Sequence, residues 1–422
     1  MGFRKAHWEN SMANLPSSVC VVGLGYIGLP TAAILAQNGV NVVGVDVNPR
    51  HVDAVNAGQL PFVEEGLGEV VAEVVAAGRL KAQPETPASE VYIVAVPTPF
   101  REEYKVDTKY IDAATDAIIP QLQGGELLVL ESTSPPGTTE HMRDRVLAAR
   151  PELEGKVDFA HAPERVLPGR MMEELVTNDR IIGGIGTAAA ERTRDLYAVF
   201  CKGELFLTDA RTAELSKLAE NSYRDVNIAF ANELSLICDQ LGVNVWELIE
   251  LSNKHPRVNI LQPGPGVGGH CIAVDPWFIV SSAPTLSRLI RTAREVNDGK
   301  PAWVIDQVHL ALTRNPGARI TALGLAFKPD IDDLRESPAL NIVDQLATEL
   351  GDTPLLVVEP NVPELPARLA GRNIELRDLD SALAEADLVV LLVDHKEFKA
   401  LPVERLAGKQ VIDTRGTWRE LA

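Results

Sequence analysis

Cys271 ends the segment GPGVGGHC, and Asp275 follows it by four residues, which keeps a carboxylate within reach of a thiol. A thiol that adds to an aldehyde gives a thiohemiacetal. Loss of a hydride from that adduct leaves a thioester, which water cleaves to an acid. Such chemistry needs a thiolate stabilised by cationic or hydrogen-bonding neighbours, a group that stabilises the oxyanion, and a base for water. His270, Lys217, Asn221, Asp275 and Glu164 are of the right types. The alternative for Cys271 is a buried, inert cysteine, which is the reading for Cys20, Cys201 and Cys238.

A departing hydride needs an acceptor, and the start of the chain is patterned to hold one. Val19 to Val22 form a β-rich run; Gly23, Gly25 and Gly28 follow as GxGxxG; an apolar helical pattern ends at Gly39; and NVVGVD makes a second strand. Gly23 permits the turn, Gly25 lets a pyrophosphate approach the backbone, Gly28 lets helix and strand pack, and the helix N-terminus attracts the anion. Asp46 lies eighteen residues past Gly28, where it would accept hydrogen bonds from the adenosine ribose. A 2′-phosphate beside that carboxylate would be repelled, so NAD is expected rather than NADP. Tyr26 and Ile27 inside the turn, and Arg50 just past Asp46, complete the expected contacts at this end of the cofactor. Later strands end in polar residues: VYIVAVPTP with Thr98, LLVLESTSPPGTT with Ser132 and Thr133, and DFAHAPERVLPG with Glu164 and Arg165. Ligands of open parallel sheets lie outside such strand ends, so Thr98, Thr133 and Glu164 are expected where nicotinamide and substrate meet. The alternative is that the two threonines only cap the turns or helices that follow.

From Thr212 to Leu241 runs one long helical pattern without internal proline or glycine. Lys217, Asn221 and Arg224 share one face of it. Leu215, Leu218, Val226, Phe230, Leu234 and Ile237 are expected to supply core contacts, and a helix of this length to link domains or form a dimer seam. After residue 310 a second α/β pattern starts with RITALGLAF and continues through PALNIVDQLATELG, PLLVVEP, DLVVLLVD and QVIDT. The expected fold is α/β: two doubly wound Rossmann-like domains, 15–209 and 311–422, joined by a helical central domain, 210–310. A cleft between domains is the default ligand site.

Composition narrows the partners. The formal net charge of −19 disfavours nucleic acid, so an anionic ligand must be held by local basic groups. No CxxC spacing suggests a metal site, no apolar run is long enough to span a membrane, and no leader pattern opens the chain. A reduced, cytoplasmic enzyme without metal is expected. The segment MGFRKAHWENSM fits no pattern and is set aside.

Seven segments carry a resemblance: GLGYIGLP, AVPTP, ESTSPPGTT, APERVLPG, KLAENSYRDVNIAFANE, PGPGVGGHCIAVDPWF and GLAFKPDIDDLRESP. In this order they resemble the UDP-glucose/GDP-mannose dehydrogenase family across almost the whole chain. GGHCIAVDPWF followed by RLIRTAREVND is similar to the branch acting on UDP-N-acetylhexosamines. UDP-glucose dehydrogenases tend to carry phenylalanine-proline-lysine between the cysteine and the aspartate, where this chain has Ile272, Ala273 and Val274. The resemblance implies that Cys271 is the nucleophile, that Lys217 and Asn221 stabilise the oxyanion, and that Asp275, with Glu164 and Thr133, serves thioester hydrolysis. It implies that Gly264, Gly266, Gly268 and Gly269 wrap the nucleotide sugar, with Glu164, Arg165, Val166, Lys217, Asn221, Lys328 and Arg335 contributing contacts. Arg257 resembles an arginine offered across a dimer interface, so a homodimer or higher homo-oligomer is expected. The implied reaction is oxidation of UDP-N-acetyl-D-mannosamine to its uronate with NAD. UDP-N-acetyl-D-glucosamine is the alternative substrate, and a non-catalytic nucleotide-sugar sensor the alternative of another class. Such a sensor would have no need of Cys271 or Lys217.

Overall fold

In the computed structural model the described residues are 15–62, 64–101, 106–166, 169–269, 271–351 and 353–419. They form two compact units that divide after Ala219. In chain order the first unit contains β1 (Val19–Val22), α1 (Gly28–Gln37), β2 (Val42–Val45), α2 (Pro49–Asn56), α3 (Leu67–Ala76), β3 (Leu80–Gln83), β4 (Val91–Val94), α4 (Lys109–Ile118), β5 (Leu127–Leu130), α5 (Thr138–Ala149), β6 (Asp158–His161), α6 (Met171–Thr177), β7 (Arg180–Gly184), α7 (Thr187–Tyr197), β8 (Leu205–Asp209) and the start of α8 (Ala210–Leu241). The strands lie in the order β3-β2-β1-β4-β5-β6-β7-β8. β1, β4 and β5 read VCVV, VYIV and LLVL and are buried throughout, as strands covered on both faces require. One core gathers α1 and α3 against one face, and a second gathers α4 and α5 against the other. The order reverses between β1 and β4, the switch point outside which ligands bind.

One pairing departs from the parallel rule, and the two strands beyond it, β7 and β8, run against the other six. β7 runs antiparallel to β6, with Ala160 opposite Gly184 and His161 opposite Gly183. The first residue of β7, Arg180, is therefore carried past the end of β6, to the edge where the parallel strands finish. His161 is fully buried, and that burial pushes its imidazole down to about 3, so the ring is neutral.

The second unit continues with the rest of α8, then α9 (Val245–Ser252), α10 (Asp275–Ser282), α11 (Arg288–Arg314), β9 (Ile320–Leu323), α12 (Pro338–Glu349), β10 (Leu355–Val358), β11 (Ile374–Leu376), α13 (Leu379–Glu385), β12 (Leu388–Leu391), α14 (Lys396–Lys399) and β13 (Gln410–Asp413). Its sheet is parallel in the order β11-β10-β9-β12-β13, with a core on each face.

The long helix corrects one expectation. Of the apolar residues assigned to its core side, Leu218 is buried and Val226 and Leu234 are half-buried, but Leu215, Phe230 and Ile237 are exposed by 43%, 51% and 45%. Ser222, Asp225, Asn232 and Ser235 are buried instead. The 3.6-residue period places residues on a stripe without saying which stripe faces inward. Here the polar stripe turns inward because α11 supplies partners: Arg294 and Asn297 meet Asp225, Asn297 meets Asn232, and Lys300 meets Ser235 at 2.8 Å. Burial lowers the Lys300 amine to about 7, against the pull of the Asp239 carboxylate.

Candidate active site

The glycine turn of the first unit is built as a cradle. Gly23 has φ +99°, and a Cβ there would overlap the carbonyl of Ala95; a Cβ on Gly28 would overlap the carbonyl of Gly23. Both positions are thus required by the fold itself. A Cβ on Gly25 would meet nothing within 4 Å, so its missing side chain leaves open space. Ile27 precedes α1, and no side chain caps that helix, which leaves its N-terminal dipole to an outside anion. Asp46 is fixed by the N–H of Leu24 at 2.9 Å and that of Asn48 at 2.8 Å, with His51 Nδ1 at 3.4 Å. Tyr26 stacks on Phe62 with ring centroids 4.2 Å apart, and Arg50 is exposed in the first turn of α2. An open glycine, an uncapped helix and a fixed carboxylate suit a dinucleotide.

Thr98 donates from Oγ1 to the carbonyl of Thr133 at 2.8 Å, tying the loop after β4 to the loop after β5. The helices that follow are entered through Thr108 and Gly137, so neither threonine caps a helix. The β5 loop is held from a second side. Glu214, in the first turns of α8, accepts from Gly137 N at 2.6 Å, Thr139 N at 2.7 Å and Thr139 Oγ1 at 2.6 Å. Lys217 follows one turn later, half-buried.

Glu164 lies beyond β6 in a buried ionic cluster. Its Oε2 accepts from Arg180 at 2.5 Å and its Oε1 from the N–H of Arg165 at 2.6 Å. Arg180 also approaches Glu131 at 3.6 Å, and its guanidinium lies 4.3 Å from the ring centroid of Tyr197. Glu131 accepts from Tyr197 Oη at 3.0 Å and from Thr31 Oγ1 at 3.1 Å. Complete burial pushes the Glu131 carboxyl up to about 7, against the pull of Arg180. The Arg165 side chain donates to the carbonyl of Asp179, and Val166 packs on the core. Sequence reasoning missed Glu131 and Arg180. ESTSPPGTT contains the first without marking its role, and Arg180 is delivered by strand direction, which no motif records.

In the second unit Cys271 is exposed. Its carbonyl accepts from Val274 N at 3.1 Å and Asp275 N at 2.8 Å, so the turn after the cysteine runs directly into α10. Asp275 is the first residue of that helix and is buried, with Oδ2 accepting from Asn221 Nδ2 at 2.5 Å. Asn221, Asp275 and the thiol-bearing turn are thereby assembled. His270 lies outside the described residues.

The glycine loop packs on the segment that follows β9. A Cβ on Gly268 would lie 2.5 Å from the carbonyl of Glu336, and Gly269, at φ +84°, faces Phe327. Gly266 packs against Pro338, and the N–H of Gly264 donates to Asn232 Oδ1 at 2.9 Å. Gly268 therefore answers to backbone packing, while Gly264, Gly266 and Gly269 face the side chains of Arg415, Pro338 and Phe327. Asp330 and Glu336 take positive φ values, +63° and +49°, strained for non-glycine residues, on either side of Arg335. Lys328 and Arg335 are exposed, and Arg335 pairs with Asp333 at 2.6 Å. A residue the sequence reading missed is Arg415: a Cβ on Gly264 would lie 2.5 Å from its Nη1, and it lines a pocket with Gly266, Phe327, Pro338 and Asp394. The available signal was its place just past the carboxyl end of β13. Arg257 is exposed after α9 and is not among the residues gathered here. Among the described residues no three His, Cys, Asp or Glu side chains are grouped to hold a metal, and no helix is long and apolar enough to cross a membrane.

The chain matches the NAD binding domain of the UDP-glucose/GDP-mannose dehydrogenase family over residues 17–201, its central domain over 211–299 and its UDP binding domain over 321–420. An NDP-N-acetyl-D-galactosaminuronic acid dehydrogenase from Ralstonia nicotianae is 54% identical over 409 residues, 95% of this chain and 96% of its own. A UDP-N-acetyl-D-mannosamine dehydrogenase from Salmonella typhi is 53% identical over 420 residues, 96% of this chain and 99% of its own. The solved UDP-D-ManNAc dehydrogenase from Pyrococcus horikoshii superposes with TM-score 0.86 at 40% identity, covering 95% of this chain and 96% of its own.

Proposed function

The chain belongs to the UDP-glucose/GDP-mannose dehydrogenase family and is an NAD-dependent nucleotide-sugar dehydrogenase, and from that premise we propose that it oxidises UDP-N-acetyl-D-mannosamine to the uronate. The balance is one alcohol, two NAD and one water giving one carboxylate, two NADH and three protons. Gly23, Gly25, Gly28, Asp46 and the N-terminus of α1 hold NAD, which supplies the hydride acceptor. Cys271 Sγ adds to the aldehyde carbon to form the thiohemiacetal, with Lys217 and Asn221 stabilising the oxyanion. Loss of the second hydride leaves the thioester on Cys271. Asp275, oriented by Asn221, moves protons at this step and at water attack, with Glu164 as the base for water and Thr133 beside the cofactor loop. Lys328, Arg335 and Arg415 supply positive charge for the diphosphate of an otherwise acidic protein.

The observation that carries this reading is the hydrogen bond from half-buried Asn221 to buried Asp275, one turn from an exposed thiol. Cys271→Ala is expected to fold and bind NAD while losing uronate formation by at least about a thousandfold. Product analysis with NADH counting checks this: full activity in the variant, or one NADH per sugar with aldehyde release from the wild type, overturns the thioester route.

The 54% identical relative favours a second reading, an N-acetyl-D-galactosamine-configured substrate. Turnover of the UDP-activated manno-, galacto- and gluco-configured amino sugars, side by side, decides between them. A homo-oligomer is also proposed. Tyr223, Phe230, Ile237 and Leu241 form an exposed apolar stripe on α8 at spacings of seven, seven and four. Phe230→Asp is expected to lower the mass measured in solution.

A further inference from the structure

Four buried side chains join the glycine loop to the interior of the second unit. Asn232 accepts the N–H of Gly264 at 2.9 Å and donates to Asn297 Oδ1 at 2.8 Å. Asn297 donates to Asp225 Oδ1 at 2.8 Å and to the Asp225 carbonyl at 3.1 Å, and Arg294 donates to the same Oδ1 at 2.6 Å. None of the four is more than 1% exposed. Asn221, Asp225 and Asn232 are four and seven residues apart on α8, so they lie along one side of the helix. At one end of that row Asn221 grips Asp275, and at the other Asn232 grips Gly264.

We propose that Asn232 is a positioning residue that sets the place of the glycine loop along α8 relative to the Asn221–Asp275 pair, and hence where the sugar is presented to the thiol. The inference rests on the reading that residues 264–269 hold the nucleotide sugar. An apolar side chain of similar size would fill the space but leave the Gly264 N–H without an acceptor in a site closed to water. The row beyond Asn232 gives it rigidity, since Asn297 fixes the amide orientation and is itself held by Asp225.

UDP serves as the probe, read by calorimetry and by hydrogen exchange of the segment 261–269. In the wild type UDP is expected to slow exchange there. Asn232→Ala is expected to speed that exchange, weaken UDP about tenfold and raise the sugar-nucleotide KM to match, with the KM for NAD unchanged. Asn232→Asp keeps an acceptor for Gly264 and is expected to recover UDP affinity to within about threefold despite lower stability. Asn297→Ala spares the Gly264 contact and is expected to weaken UDP by less than Asn232→Ala. A purely structural role would lower Tm and leave UDP affinity unchanged in all three variants, which overturns the inference. Failure of UDP to protect 261–269 in the wild type overturns the loop reading itself.

Discussion

The two sheets open with the same turn and then diverge. Gly23 and Gly324 each follow the first strand of their sheet, at φ +99° and +98°. The leucine after each donates to the acid that closes the next strand: Leu24 to Asp46 at 2.9 Å, and Leu325 to Glu359 at 2.7 Å. In the first sheet Gly25 stands in open space and α1 has no side-chain cap. In the second, Ser337 caps α12 by accepting from Leu340 N at 3.3 Å while donating to the Leu325 carbonyl at 2.6 Å. Glu359 is buried and also accepts from Ala326 N, Asn361 N and His395 Nε2, each at 3.1 Å. Topology alone therefore does not make a dinucleotide site. What makes one is a helix N-terminus without a side-chain cap and an acid that is not fully buried, whereas the second sheet has capped its helix with Ser337 and buried Glu359.

The largest effect should come where the two turns are alike. Gly23→Ala and Gly324→Ala drive a Cβ into the Ala95 carbonyl and the Val393 side chain, and each is expected to cost about 3 kcal/mol or more in denaturant unfolding. A loss under about 1 kcal/mol in either would mean that the turns give way and the parallel is superficial.

Next comes the acid. Burial alone would raise the Glu359 carboxyl, but hydrogen bonds from His395 and from the N–H groups of Leu325 and Asn361 outweigh it and hold the group below its ordinary 4.5. A carboxyl lowered on folding contributes stability above its unfolded value and loses it as pH falls through the folded one. Glu359→Gln is thus expected to cost about 2 kcal/mol near pH 7, to flatten the wild-type decline below pH 4.5 and to leave NAD affinity unchanged. Weakened NAD binding would show that the second acid serves the cofactor after all.

Gly25→Ala and Asp46→Ala probe the open turn. Both should retain the wild-type Tm to within a few degrees while raising the KM for NAD about tenfold, or about 1.4 kcal/mol. Unaltered NAD affinity would remove the assigned roles. The smallest effect is expected from Ser337→Ala, about 1 kcal/mol of stability with no change in NAD binding.

What could be read from the sequence was local. Gly23, Gly25, Gly28 and Asp46 act within one β-turn-α-β unit, and Cys271 and Asp275 within one turn of helix, so spacing alone conveys their geometry. The interior of α8 was misread because periodicity identifies two stripes, and the choice between them rests on Arg294, Asn297 and Lys300, some 65 to 72 residues away in sequence. Arg415 and Arg180 were missed for the same reason: their partners are set by strand order and direction. The glycines of residues 264–269 were legible as a loop, while the backbone of Glu336 that demands Gly268 was not.

Strand direction also bears on how this chemistry can be moved between scaffolds. Arg180 reaches Glu164 only because β7 runs against its neighbour; a parallel β7 would place the same guanidinium at the opposite edge, four residues or roughly 13 Å away. Grafting the loops after β4, β5 and β6 onto an all-parallel sheet would transplant a buried carboxylate without its counter-ion. The smallest portable piece is therefore the run from β5 to β8, both reversed strands included, and an engineered dehydrogenase that keeps the loops but turns β7 parallel would carry every recognisable motif and lack the cation behind them.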